Sequence, residues 1–480
     1  MFHTLVQCVL FLVTVYWSRW WYTRRTVQLL KYLPGPRTYP FIGSMYVLPG
    51  MDTSLYLPAL INLTGAYESP YCVWLGPVPV VIVSTAEHVR TILTAPETVE
   101  KASFYRFTPL RGIFSLPAHK WRIHRKVIQP SFKQSILRDF IPLFEKKANR
   151  MVQALSEIAD SEQEFDIYRY TARCTLDMIF ATTLGADMHI QDTPTAFGYL
   201  TVLEELFEIV TIRAVNIFLH PQWIYRWTAV YRKEVKALEE FFRPSKVVLA
   251  KNTSSESTPG MENGKHFNLV EHLKSSLDDK DDIEHELNTI IFAGNETSAM
   301  TVANTLLLLA MHPHVQEKLF AELNVHRESE VNYETLKNLN YLEMVLKESL
   351  RLLPIAAVVG RRTTAELVVG GHRLPANIDV IVDIYNIHRN PKYWGPDADC
   401  FRPERFESLR YDPYTLLPFS AGPRNCVGLR YAWISMKIML LKVLTHYRIE
   451  TDLRLEDLRM KIALTMKISN GHMVRLRSRK

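Results

Sequence analysis

The ten residues Phe419-Ser420-Ala421-Gly422-Pro423-Arg424-Asn425-Cys426-Val427-Gly428 constrain this 480-residue chain more than any other stretch. Gly422 and Pro423 force a tight turn, and the apolar periodicity that follows, from about 427 to 444, predicts a helix. The turn therefore delivers Cys426 to a helix start. A thiol there meets free backbone N–H groups and the positive end of the helix dipole, and both favour the thiolate. Phe419 is placed to shield the sulfur, Arg424 to pair with a carboxylate, and Gly428 to let a flat body approach. A buried cysteine beside an ordinary turn is the bland alternative. Five residue types at fixed spacing make it a poor one.

The other thiols say less. Cys8, Cys72, Cys174 and Cys400 are widely spaced, the total of five is odd, and no C-x-x-C pair occurs. A disulfide framework or a structural zinc site needs clustered thiols, so neither is expected. Cys72, Cys174 and Cys400 read as small buried hydrophobes. With 47% hydrophobic and 22% charged residues, the chain has the composition of a well-cored globular protein. Its net charge of +7 is modest and spread along the sequence. That suits acidic partners or anionic lipid and is no sign of nucleic-acid binding.

Residues 5–17 (LVQCVLFLVTVYW) are almost wholly apolar, and Trp20-Trp21-Tyr22 and Arg24-Arg25 follow. The run is shorter than the roughly 20 residues of an ideal span, but Phe2 and the aromatic belt nearly close the gap. No small-x-small cleavage site follows. Residues 1–25 therefore read as an uncleaved membrane anchor helix, with residues 26–480 as the body, kept on the cytosolic side by the trailing positive charge. Leu33-Pro34-Gly35-Pro36, with Pro40 close behind, is a stiff break. The β-branched stretch 71–83, interrupted by Gly76-Pro77, predicts a hairpin. Helical periodicity dominates from about 84 to 250, and the polar stretch 252–265 predicts a surface loop. Helices are expected over about 282–311 and 339–353, each stopped by a proline. Short strands near Gly370-Gly371 and after the last helix complete a mainly α chain with a smaller β region. No internal repeat and no long linker divides it.

The segment 419–428 matches F-x-x-G-x-R-x-C-x-G, and on it the chain resembles the cytochrome P450 haem-thiolate monooxygenases. The resemblance runs over essentially the whole chain in order. It implies the P450 fold, haem b as cofactor, and Cys426 as the thiolate ligand of its iron, with Phe419, Arg424 and Gly428 around it. Glu348 and Arg351 match E-x-x-R. On a helix such a pair can bond, and alone it would be an ordinary surface ion pair. The resemblance adds Arg405, from Phe401-Arg402-Pro403-Glu404-Arg405-Phe406, and makes the three a structural network. Trp121 and Arg125 lie one helical turn apart, which by itself could be one face of an amphipathic helix. The resemblance assigns both, with Arg424, to the haem carboxylates. Whether Arg361 and Arg362 add a further contact the sequence does not decide.

Ala293-Gly294-Asn295-Glu296-Thr297-Ser298 lies inside the helix expected over 282–311. A mid-helix glycine costs about 1 kcal/mol relative to alanine. A polar notch in a core helix is the bland explanation. The resemblance supplies another: a local distortion opens a groove for dioxygen, with Thr297 and Glu296 as catalytic residues in the proton supply. The stretch 121–132 (WRIHRKVIQPSF) is most similar to the clan containing fatty-acid omega-hydroxylases, abundant in insects. Many of those carry a glutamate where this chain has Ala293 and esterify their haem through it. Ala293 cannot, so no covalent haem link is expected. Glu296 stands in for the more usual aspartate. Segments 104–114, 197–227, 355–359 and 463–466 align with substrate-lining regions and are largely apolar, so a lipophilic substrate is expected. Residues 221–225 either dip into a membrane or pack as core. The resemblance also implies O2 as co-substrate and electrons from NADPH through NADPH–cytochrome P450 reductase, with cytochrome b5 as a second donor. The implied location is the endoplasmic reticulum (microsomal) membrane. Two rivals remain. One is a haem-thiolate isomerase or dehydratase that rearranges peroxides without a reductase, against which the Glu296-Thr297 pair argues. The other is a non-catalytic haem-binding protein.

Overall fold

One helix, Lys280–Met311, runs through the middle of the molecule, and the other elements are arranged around it. The computed structural model describes residues 2–39, 41–50, 52–193, 196–251, 268–408 and 410–479; the surface loop expected over 252–265 lies outside them. Asp279 caps the central helix by accepting from the Asp281 N–H, and Asp281 and Asp282 favour its positive end. Pro313 follows its C-cap, His312. The stretch from Leu306 to Leu309 is 0% exposed on every side, as a helix must be when it is apolar all round. Helices Tyr168–Thr182, Asn340–Leu352 and Leu429–His446 pack against it, and Gln134–Ser156 packs against the first and last of these.

The expected helices are present with small shifts, and one shift matters. The last helix begins at Leu429 with Gly428 as its N-cap, so Cys426 precedes the helix rather than opening it. The stretch 71–83 forms the expected hairpin, Tyr71–Leu75 with Val78–Val83. It belongs to a five-stranded sheet that continues with Asp379–Asp383, Val358–Arg362 and Glu100–Lys101. The pairing of Val80 with Asp379 is parallel, and the rest of the sheet is antiparallel. Val358–Arg362 (VVGRR) was invisible to periodicity because five residues with a glycine and two arginines show no alternation. A terminal hairpin, Met460–Ala463 with Thr465–Ile468, closes over the central helix region. The whole is mainly helical with a smaller sheet portion.

The first helix is longer than its apolar run, spanning Phe2–Leu30 without interruption, so the boundary expected after residue 25 falls inside it. Leu5, Leu10, Phe11, Leu12 and Trp17 are exposed. Among the described residues no helix is long and apolar enough to cross a membrane. The helix is nonetheless tied to the body. Leu30 and Leu33 are buried in the cluster containing Val369 and Leu374, and Arg25 pairs with Glu366 at 2.5 Å.

The Glu348–Arg351–Arg405 network forms in the interior. Arg351 donates to Glu348 at 2.7 and 2.9 Å, and Arg405 donates to the same carboxylate at 2.8 Å. Carbonyls of His388, Ala398 and Cys400 take further Arg351 N–H groups. Cys72 and Cys174 are buried as expected, but Cys400 is exposed: its carbonyl faces the arginines while its side chain faces out.

Candidate active site

Between the central helix and the segment 417–436 lies a cavity of about 280 Å³. Its walls bring together Cys426, Phe419, Gly428, Trp121, Arg125, Arg424 and Thr297. Of the sequence-predicted site residues, only Glu296 is elsewhere.

The loop that carries Cys426 is closed by its own backbone. Ser420 N–H donates to Leu417, Asn425 N–H to Gly422 and Cys426 N–H to Phe419, all at about 3 Å. Ser420 and Gly422 adopt left-handed φ values of 58° and 71°. Gly422 also touches the carbonyl oxygen of Leu93, where a Cβ would have no space. Glycine is required there on both counts. At Gly428 no protein atom forbids a side chain, since a Cβ would meet only the Phe132 ring, at 3.8 Å.

The Cys426 sulfur opens onto the cavity, which is itself enclosed by protein. Burial pushes its pKa up, and the Gly428 N–H and nearby Arg125 pull against that without prevailing. The lowering expected from a helix start is therefore not realised by the protein alone. The helix begins too late, and desolvation outweighs it.

Four cations line the cavity: Lys101, Arg361 and Arg424, which crowd one another, and Arg125 beside the cysteine loop. Arg125 donates to the backbone and side-chain oxygens of Asn425, at 2.9 Å each, which ties helix Ala118–Ile128 to the cysteine loop. Arg424 donates to the carbonyls of Val99 and Leu116, lies 4.4 Å from the Trp121 ring centre, and keeps a buried Nη1 with no partner. Arg361 reaches only its neighbour's carbonyl, Gly360. The Lys101 ammonium sits over the rings of Tyr105 and Phe114 at 4.2 and 4.8 Å. Strand pairing explains which residues face inward. Lys101 lies opposite Arg361 and Glu100 opposite Arg362, so the first pair shares one face and the second pair the other. Arg362 accordingly turns away to Asp379.

No aspartate or glutamate is among the described residues lining the cavity. Burial, Arg361 and Arg424 together push Lys101 well below its ordinary pKa, and burial with Arg361 brings Arg424 down to about 9. Such a cluster is costly without an anion. An orphaned guanidinium nitrogen on Arg424, crowded by Arg361 and Lys101, together with Arg125 beside the cysteine loop, fits two carboxylates on a flat group bounded by Cys426 and Gly428.

The opposite wall is the central helix. Thr297 lines the cavity, and its hydroxyl donates to the Ala293 carbonyl at 2.7 Å. The helix continues unbroken through this stretch, so the expected local distortion is not seen. Gly294 has a packing reason instead, because a Cβ there would run into the Ile179 side chain. Glu296 points the other way. It is 0% exposed, pairs with Lys467 at 2.7 Å, and accepts from the Tyr168 hydroxyl at 2.5 Å. Adjacent helical residues diverge by about 100°, and a carboxylate that turns into the core must find a cation. Lys467, from the terminal hairpin, also reaches Glu204 at 3.3 Å. Burial works against the Lys467 charge, yet the two carboxylates together raise its pKa.

Three of the four segments expected to line the substrate space do so. They contribute Tyr105, Ile113 and Phe114, then Ile355 and Val359, then Leu464. No described residue of 197–227 is among the lining residues, and Trp223 and Trp227 are 73% and 89% exposed.

Residues 33–473 match the family model described as "Cytochrome P450". This chain belongs to the cytochrome P450 family. Its relatives include "Probable cytochrome P450 313a4" of Drosophila melanogaster, 31% identical over 98% of each chain. "Cytochrome P450 4V2" of Homo sapiens is 30% identical over 95% of this chain and 92% of its own length. "Cytochrome P450 4c21" of Blattella germanica is 30% identical over 96% of both. These are insect proteins and a human member numbered 4, in keeping with the similarity carried by residues 121–132. As a P450 the chain is an oxidoreductase, a haem-thiolate monooxygenase at the level of its family, which works with a substrate, O2 and a redox partner. Within this P450 site Lys101 is the member that sequence reasoning missed. A lone Lys in a two-residue strand carries no motif, and only its register against Arg361 reveals it.

Proposed function

We propose that this P450 inserts one oxygen atom from O2 into a lipophilic substrate, with Cys426 ligating the iron of a non-esterified haem b. The observation that carries the reading is the set of four cations, Arg361 and Arg424 of them buried, with no carboxylate among the described residues that line the cavity, whose opposite walls present Cys426 and Thr297. Arg424, Arg125, Arg361 and Lys101, with Trp121, would hold the two haem carboxylates. Phe419 and Gly428 bound the sulfur side. Ala293 faces the cavity without a carboxyl to esterify. When bound, the haem supplies the redox centre at which dioxygen is reduced and split.

The chain's own residues supply the rest. Thr297 Oγ1 holds its proton against the Ala293 carbonyl at the cavity wall. Glu296 joins the proton supply from behind it, held by Lys467 and Tyr168 rather than in contact with substrate. The apolar lining excludes water and favours a lipophile. Electrons would come from NADPH through NADPH–cytochrome P450 reductase, with cytochrome b5 as a second donor. Exposed Arg122, Lys126 and Arg430, on the two helices that flank the cysteine loop, suit an acidic donor. Residues 1–25 are the proposed anchor in the endoplasmic reticulum membrane and 26–480 the cytosolic catalytic domain, a reading supported by the exposed apolar face of the first helix and by Trp223 and Trp227.

The carbon-monoxide difference spectrum of the reduced protein tests the ligand. Wild type is expected to show the red-shifted thiolate band and Cys426→Ser to lack it; a band unchanged in the variant would sink the assignment. With NADPH and reductase present, Thr297→Ala is expected to divert electrons from product into peroxide release. Product formed from a lipid hydroperoxide without reductase would favour the isomerase reading instead.

A further inference from the structure

Glu286 lies two helical turns before Ala293, is 0% exposed, and plays no part in the chemistry described above. A buried carboxylate is costly unless every lone pair is used. Glu286 spends its two oxygens on two different elements. Oε2 accepts from the Ile113 N–H at 2.8 Å, and Oε1 lies 2.7 Å from His124 Nδ1. Beside it, Thr289 Oγ1 accepts from the Gly112 N–H at 3.1 Å. The first and third bonds pin the loop 110–117, whose Ile113 and Phe114 line the cavity. The second holds helix Ala118–Ile128, which carries Trp121 and Arg125. The other His124 ring nitrogen lies 3.5 Å from Asp282, which also pairs with Lys120, so two carboxylates of the central helix grip this one helix.

Gly112 shows how tight the grip is. A Cβ there would stand 2.6 Å from both Glu286 Oε2 and Thr289 Oγ1, and 2.8 Å from the His285 carbonyl. Loop and helix are in backbone contact, with no room for a side chain between them. At its far end the same loop is held by Arg424, which donates to the Leu116 carbonyl.

We propose that Glu286 is a positioning residue that sets substrate selectivity: it fixes where Ile113 and Phe114 stand over the cavity and locks that position to the helix bearing Trp121 and Arg125. Glu286 touches no reacting atom. It determines how much of a long apolar chain the cavity accepts. The proposal rests on the haem reading above, and the test separates the two.

The probes are 1-methyl-, 1-butyl-, 1-octyl- and 1-dodecylimidazole, titrated into the haem-loaded protein and read by the shift of its main absorption band. The imidazole nitrogen anchors each probe at the iron, and the alkyl chain reports on the walls beyond. A hydrogen bond to a charged group contributes about 1.5–3 kcal/mol, roughly a tenfold or greater change in affinity. Glu286→Ala is therefore expected to change the dodecyl-to-methyl affinity ratio about tenfold, the methyl probe, with the least chain to meet the walls, changing least. Glu286→Gln keeps an acceptor for the Ile113 N–H and is expected to restore most of the wild-type ratio. Gly112→Ala is the second route should the first variant fail to fold. It displaces the loop with the carboxylate intact, and the same change in ratio is expected. A ratio unchanged in folded Glu286→Ala or Gly112→Ala protein would overturn the proposal and leave the haem reading standing. A wild-type protein whose spectrum ignores 1-methylimidazole would overturn both.

Discussion

Two groups of cations lie in the same molecule, one fully buried and one lining a cavity, and they are balanced in opposite ways. Around Glu348, the guanidinium groups of Arg351 and Arg405 share one carboxylate and a shell of backbone carbonyls. At the cavity, Lys101, Arg125, Arg361 and Arg424 find carbonyls, an amide and aromatic faces, and no carboxylate among the described lining residues. The first cluster is complete as protein. The second has charge to give. The contrast separates a structural network from a binding site using nothing but the pairing of charges.

The largest effect that could break the contrast is at Glu348. Glu348→Gln leaves two buried guanidinium groups without their anion, and a loss of about 3–5 kcal/mol is expected in urea unfolding. A loss near zero would mean that the carbonyl shell suffices. Next comes Arg424→Met. Removing a cation from the incomplete cluster strips the Val99 and Leu116 carbonyls of their donor but relieves charge crowding, so the haem-free protein is expected to lose less stability than Glu348→Gln does, while haem is lost to a scavenging globin roughly tenfold faster. Loss of stability without faster haem loss would make this cluster structural too.

The smallest effect is a pH dependence. Burial and two guanidinium neighbours hold the Lys101 pKa well below its ordinary value. Between that lowered pKa and the ordinary one, the unfolded chain binds more protons than the folded one, so stability rises with pH. The contribution is fully present above the ordinary pKa and is lost as pH falls through the lowered one. The haem-free protein is thus expected to gain Tm relative to Lys101→Met as pH goes from about 7 to about 9.5. Haem loading should flatten the difference, because its carboxylates restore the lysine's charge. Parallel curves for the two haem-free proteins would refute the crowding of charge at this rim.

What the sequence made legible was local. The cysteine loop, the Trp121–Arg125 turn and the Glu348–Arg351 turn each lie within one turn of chain, where spacing dictates geometry. What it hid depends on partners far along the chain. Lys101 and the choice of Arg361 over Arg362 follow from the register of two short strands, in which one step reverses the face. Glu296 belonged to the right motif but turned toward Lys467, a residue on the terminal hairpin that no spacing rule connects to it. The low thiol pKa expected at a helix start failed for an energetic reason: desolvation of Cys426 exceeded the help from Gly428 and Arg125.

Gly422 rests against the carbonyl oxygen of Leu93, main chain on main chain, just before the end of helix Ala86–Thr94. In engineering terms that contact is a mechanical stop. It gauges the height of the sulfur by the thickness of two backbones, which no side-chain repacking can alter. Redesign of this P450 can therefore vary the walls of the cavity widely and keep the ligand in place, but a single methyl group at position 422 would jack the whole loop off its seat.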